Sequence, residues 1–219
     1  MTSFTLKMVA LGSMMIDHVG YTFSSVWNTY FMRLVGRVAF PVYAFLIAEG
    51  CRNTSDIRKY LIRLGIFALL SEIPFDLFMV GRVFAPGYQN VFFTLFFGVM
   101  AIWAYETALS KKWNHGISVF ICIPFAAFAY LMKTDYGAYG VVAIFSCYLS
   151  KTRWQQAASL TLVMFATYVG NISMFAATLP AVLLISMYDG RRGIPIKFAF
   201  YVAYPIHLLI LAGISYMIL

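Results

Sequence analysis

The sequence predicts an all-α, polytopic integral membrane protein of about nine transmembrane helices. Three observations predict it. Of 219 residues, 62% are hydrophobic and 11% charged, with a mean hydropathy of +0.81, far above the apolar share of a soluble domain. The apolar residues form continuous runs, not the period-two alternation of a membrane barrel. The breaks between runs are alternately rich and poor in Lys and Arg, as cytoplasmic and outer loops are.

The same composition excludes several classes. The formal charge is +8, but its basic residues come in small groups between apolar runs. They form no binding face for nucleic acid. Cys51, Cys122 and Cys147 sit in or beside apolar runs without paired ligand spacing. They read as small buried residues, and no metal site is expected. The first run carries Asp17 and His18 and lacks a small-residue cleavage site, so it reads as a retained helix. No internal repeat or soluble domain is visible, which makes residues 1–219 a single transmembrane domain. An 18% aromatic share suits interfacial belts.

The runs fall at 5–26, 33–50, 58–80, 91–109, 117–132, 136–150, 154–170, 172–188 and 198–218. Run 5–26 is apolar except for Lys7 near its start and Asp17-His18 near its middle. Run 33–50, RLVGRVAFPVYAFLIAEG, holds Arg37 and ends at Glu49; Pro41 frees the Arg37 carbonyl from its helical bond and predicts a kink. The next break is basic, with Arg52, Arg58 and Lys59. Run 58–80 carries Glu72 and Asp76 on one face, with Pro74 between them predicting a bend. Arg82 and the turn GYQN, with Asn90, precede 91–109. Lys111 and Lys112 follow it. Lys133 and DYGAYG, with Asp135, separate 117–132 from 136–150. Lys151 and Arg153 lead into 154–170. YDGRRG, with Arg191 and Arg192, and then Lys197 lead from 172–188 into the last run. With the N-terminus in the cytoplasm, these basic groups lie inside. Only Arg82 and Lys133 lie outside, with Arg33 at a helix edge. The expected topology is therefore N-terminus in and C-terminus out, in the inner membrane.

Short loops place any chemistry within the bundle or at its rims. Ionisable side chains at membrane depth cost free energy and commonly mark function. Eleven residues rotate a helix by about 1100°, within about 20° of full turns, so Lys7 and His18 share a face some ~16 Å apart along the axis. A rim cation suits a phosphate group, and a neutral imidazole deep in the bundle suits a general base. Asp17 points about 100° away from that line, where it braces another helix or orients His18 indirectly. Arg37 shapes a pocket or pairs with an acid. Glu72 and Asp76 bind an amine or pair with Arg37. Arg58, Lys59 and Arg63 make a basic inner rim suited to a phosphorylated cofactor or simply to positive-inside bias. Tyr201, Tyr204 and His207 recur on one side of the last run, with His207 at a depth like that of His18.

Together, KMVALGSMMIDHVGYTF, GRVAFPVYAFLIAEG, SEIPFDLF, YDGRRG and FYVAYPIHLLIL resemble the TraX family, almost from end to end. That family is named for a conjugation-plasmid protein that acetylates the N-terminus of the F-type pilin. The chain is also similar to the membrane acyltransferase-3 family, whose first span carries an Arg, ten residues and a catalytic His; Lys7, ten residues and His18 repeat the spacing here. Lys59 and Arg63 approximate that family's basic pair with one residue more between them. The resemblance implies an acetyltransferase with acetyl-CoA as cytoplasmic acyl donor and His18, with Asp17, at the reacting centre. It implies Lys7, Arg58, Lys59 and Arg63 on the donor's phosphates, and an acceptor near Arg37, Glu72, Asp76, Tyr204 and His207. The acceptor is an amine or hydroxyl, with a pilin or peptide N-terminus favoured. A transporter or channel, or a non-catalytic membrane assembly factor, would use the same buried charges differently.

Overall fold

The computed structural model describes residues 1–195 and 197–218. Among these the fold is all-helical, with one isolated bridge between Gln89 and Thr134. Every apolar run becomes a helix or two short helices in series. The chain runs α1 (Ser3–Thr22), α2 (Tyr30–Gly36), α3 (Ala39–Asn53), α4 (Ile57–Val80) and α5 (Val91–Ser110). It continues with α6 (His115–Ser118), a 3₁₀ turn, α7 (Cys122–Leu131), α8 (Gly137–Leu149) and α9 (Arg153–Thr167). α10 (Ile172–Ala176), α11 (Pro180–Ser186) and α12 (Lys197–Ile218) complete it. The side chain of Lys197, counted above among the inner basic residues, lies outside the described residues.

Polar side chains set the starts of these helices. Thr2, Asp56 and Asn90 accept from the Thr5, Lys59 and Phe92 amides, and Thr152 forms a capping box with Gln155. Gly81 closes α4 with φ of +68°, a conformation that glycine adopts without a Cβ clash.

Prolines act unequally. The kink predicted in run 33–50 is a local tightening between α2 and α3, where Arg37 and Val38 keep helical backbone angles. Arg37 and Val38 reach back only to the Leu34 and Val35 carbonyls. The tightening falls at the residue whose carbonyl Pro41 leaves without a helical partner. Pro74 and Pro205, by contrast, lie inside the continuous helices α4 and α12.

Three stretches are long and apolar enough to cross a membrane: Tyr30–Asn53, Val91–Ser110 and Phe198–Met217. His115–Leu131, Gly137–Leu149 and Ile172–Ser186 are shorter apolar helices. α1 and α4 have the length, 20 and 24 residues, but interrupt their apolar surface with the ionisable groups described above. The core forms around α3 and α8. Ala39 to Ala48 are buried except Tyr43, and α8 packs on α3, α5, α7 and α9. α12 lies between α1 and α4 and packs most extensively on α4. Ile62, Ile66, Leu69, Ile206 and Ile210 point outward from this pair, the apolar exterior that a bilayer requires.

Candidate functional site

α1 distributes its three ionisable side chains to two neighbours. Lys7 and His18 both turn toward α12: Lys7 Nζ lies 5.6 Å from the centre of the Phe200 ring, and His18 meets His207. Asp17 turns toward α2. This is the division expected when residues 7 and 18 share a helix face and residue 17 lies a third of a turn away.

The two histidines are in direct contact. His18 Nδ1 and His207 Nε2 are 2.6 Å apart, and His207 Nδ1 donates to the Ala203 carbonyl at 2.8 Å. The ring planes differ by 9° with centres 4.9 Å apart. So short a nitrogen–nitrogen distance excludes face-to-face stacking; the rings meet edge to edge, with the bond near both planes. His207 is buried at 4% exposure, whereas His18 is half-buried. Tyr204 stands edge-on to both rings, at 6.2 and 5.6 Å. Phe78 of α4 lies 5.2 Å from His18. Beyond Phe78 an apolar cleft of about 700 Å³ opens between the C-terminal ends of α1, α4 and α12, with Tyr21, Gly81, Leu209 and Tyr216 in its walls.

Asp17 does not touch either histidine ring. It is clamped by Arg37 Nη2 at 2.7 Å and Arg33 Nη1 at 2.9 Å. Arg37 also donates to Tyr168 Oη and to the Arg33 carbonyl, both at 3.1 Å. The clamp exists because α2 lies unusually close to α1. A Cβ on Gly36 would stand 2.2 Å from Asp17 Cβ, and one on Gly20 would stand 2.8 Å from Met32 Cβ. Ser13 donates across the same seam to the Val35 carbonyl at 2.6 Å.

The acids on α4 have other partners than the pairing with Arg37 weighed above. Glu72 Oε2 accepts from the Asn90 side chain and, at 3.4 Å, from its backbone amide. Asp76 Oδ2 accepts from the Ala85 amide at 2.7 Å. Both hold the loop that enters α5. Arg37 pairs with Asp17 instead, because the α2–α3 junction sets it against α1. Glu72 Oε1 and Ser71 Oγ are buried with no hydrogen-bond partner among the described residues.

The basic residues expected at the inner rim divide. Arg63 lies over Tyr60 at 5.7 Å and beside the Tyr201 hydroxyl, so it and Lys7 flank the first turns of α12. Arg58 covers Trp103, and Lys59 pairs with Asp56 at 3.3 Å. The Lys59 amide first, then its ammonium, hold the exposed Asp56 carboxyl below its ordinary range; the Arg191 amide does the same for Asp189. Nearby, Glu49 binds Arg52 at 2.6 Å and Arg153 at 3.2 Å. Arg52 Nη2 also donates to the Cys147, Tyr148 and Ser150 carbonyls at the end of α8.

Sequence reasoning left Arg33 at a helix edge and did not find Tyr168 or Phe78. The four-residue spacing of Arg33 and Arg37 is a signal for a shared target. Nothing local in the sequence marks Tyr168 or Phe78.

A family model described as TraX protein matches residues 3–215. The chain is 27% identical over 239 aligned positions to the Probable fimbrial assembly protein FimC, serogroup H1, of Dichelobacter nodosus, covering 97% of this chain and 95% of that protein. No solved structure matches. The expected resemblance thus extends over nearly the whole sequence, including the segments that build the histidine pair and the Asp17 clamp, and the chain belongs to the TraX family.

Proposed function

We propose that this protein is an inner-membrane acetyltransferase with nine spans, a cytoplasmic N-terminus and an outer C-terminus. It moves an acetyl group from acetyl-CoA to an amine at or beyond the membrane, with a pilin or peptide N-terminus as the favoured acceptor. The observation that carries the reading is the histidine pair, His18 hydrogen-bonded to His207 and packed against Phe78, which itself lines the cleft. Family membership and the fimbrial assembly relative support a pilin-related acceptor.

In this reading Lys7 and Arg63, flanking the first turns of α12, hold the donor's phosphates, with Arg58 and Lys59 adding positive potential at the rim. These residues suit a polyanion, since cations from α1 and α4 both pack against the first turns of α12. When bound, acetyl-CoA supplies an activated acyl group. His18 removes the proton of the attacking amine, or takes the acyl group itself. The acceptor enters from the outer cleft past Phe78. Glu72 and Asp76 hold the loop that enters α5, and Arg37 holds the α1–α2 seam, so these residues shape the surroundings of the acceptor path.

Binding of CoA tests the donor half of this reading. A ligand at 100 times its dissociation constant stabilises the folded state by about 2.7 kcal/mol. Purified protein in detergent gains thermal stability with CoA, and Lys7→Glu with Arg63→Glu abolishes the gain. A melting temperature indifferent to millimolar CoA contradicts it.

A second reading is favoured by the Asp17 clamp, which uses buried charge to fasten helices, and by the assembly role in the relative's name. In it the protein is a non-catalytic assembly factor. It predicts that His18→Ala weakens partner binding or folding and leaves no acetylation to lose.

A further inference from the structure

We propose that His207 is a positioning residue: it fixes the proton of His18 on Nδ1 and so presents the Nε2 lone pair of His18 to the reacting groups. The inference rests on the proposed acyl transfer for its purpose, but not for its geometry.

The chain of reasoning starts at a backbone carbonyl. Ala203 O can only accept, so His207 Nδ1, 2.8 Å away, carries a hydrogen. A neutral imidazole has one N–H, so His207 Nε2 is an acceptor. The atom 2.6 Å from it, His18 Nδ1, must therefore donate. With its single hydrogen on Nδ1, neutral His18 has a lone pair on Nε2. Ala203 lies one turn before His207 on α12, so the helix itself dictates the tautomer of a residue on α1.

The position opposite the base is commonly filled by a carboxylate, which holds the ring and its tautomer. Asp17, adjacent in sequence, is occupied by Arg33 and Arg37 and bonds to neither ring. His207 takes the orienting position. The pattern of burial agrees. His207 is enclosed, as a support should be, and His18 is half-buried against Phe78, which itself lines the cleft. The Ala203 carbonyl ends the chain and cannot accept a proton. His207 therefore orients His18 and is not a relay toward another site. In the transfer step the amine nitrogen bonds to the acyl carbon, and the carbon–sulfur bond breaks. One proton passes from that nitrogen to His18 Nε2 and then to the departing thiolate.

The sequence contains only three histidines, His18, His115 and His207, so nitrogen NMR of histidine-labelled protein is readily assigned with single variants. The expected spectrum has His18 and His207 both protonated at Nδ1 and unprotonated at Nε2. His207→Gln keeps an acceptor near the position of Nε2, whereas His207→Leu removes it. General-base catalysis is commonly worth 10²–10⁴-fold. On this basis His207→Leu lowers kcat about 100-fold with KM nearly unchanged, moving the His18 proton off Nδ1 in part of the population. His207→Gln recovers activity to within about tenfold of wild type.

A wild-type His18 protonated at Nε2 overturns the inference, as does His207→Leu with the kcat of wild type, or Gln performing no better than Leu in a folded protein. If the spectrum is as expected but no acetyl transfer occurs, the acetyltransferase reading fails and the positioning of His18 stands. If transfer depends on His18 but not on the acceptor at position 207, the positioning inference alone fails.

Discussion

Removing Asp17 should destabilise the protein through the two arginines it leaves behind. Its carboxylate accepts from Arg37 at 2.7 Å and Arg33 at 2.9 Å, and the Asp17 side chain is only 11% exposed. Breaking a buried ion pair by truncating one partner costs about 3–5 kcal/mol, most of it the unpaired charge left behind. The two arginines do not contribute equally. Arg33 is 30% exposed and can turn toward solvent, so its share falls toward the ~1 kcal/mol of a surface pair. Arg37 is 15% exposed and keeps only Tyr168 and a backbone carbonyl as partners. Asp17→Ala should therefore cost about 3 kcal/mol, and Arg37→Met about 2 kcal/mol. The double variant has no orphaned Arg37 and should cost about 3 kcal/mol, a coupling of about 2 kcal/mol. The assay is reversible unfolding in detergent micelles, followed by two probes to check two-state behaviour. Additivity of the two single variants within about 0.5 kcal/mol would refute the clamp.

Other consequences follow from particular contacts. Gly36→Leu forces α2 away from Asp17 and should cost about 3 kcal/mol, whereas Gly12→Ala, with nothing within 4 Å of the added Cβ, should be neutral or slightly stabilising in the same unfolding assay. Arg52→Lys replaces a fork that reaches Glu49 and three carbonyls with a single ammonium, and should cost about 1–2 kcal/mol. Asp56 and Asp189 have carboxyls held below their ordinary range. Their contribution is present above the unfolded value near ~4 and is lost as pH falls through the lower folded values. The pair Asp56→Ser and Asp189→Ser should flatten the acid limb of a melting-temperature profile while leaving its neutral region in place.

The helices were legible because their signals are local. Run length and the spacing of Pro41 from Arg37 set boundaries that the fold follows within a few residues. The α1 faces were legible for the same reason: helical rotation alone separates Asp17 from the Lys7–His18 line. The break inside 172–188 was harder, since that apolar run is continuous in composition. Partners across helices were the least legible. The like depth of His18 and His207 did not reveal their hydrogen bond, which depends on α12 lying between α1 and α4. Arg37 was weighed against Glu72 and Asp76, yet those acids are engaged by Asn90 and Ala85 from a loop without periodicity. That choice depends on tertiary packing, which residue spacing does not encode.

The central claim is that His18 performs acyl transfer. Its most direct test is mass spectrometry of a pilin-like peptide with a free N-terminus, incubated with acetyl-CoA and purified protein in liposomes. Wild-type protein should add one acetyl group to the peptide amine. A His18→Ala variant that folds and melts like wild type should be slower by at least about 100-fold. Equal acetylation by the two proteins, or none by wild type, would contradict the account.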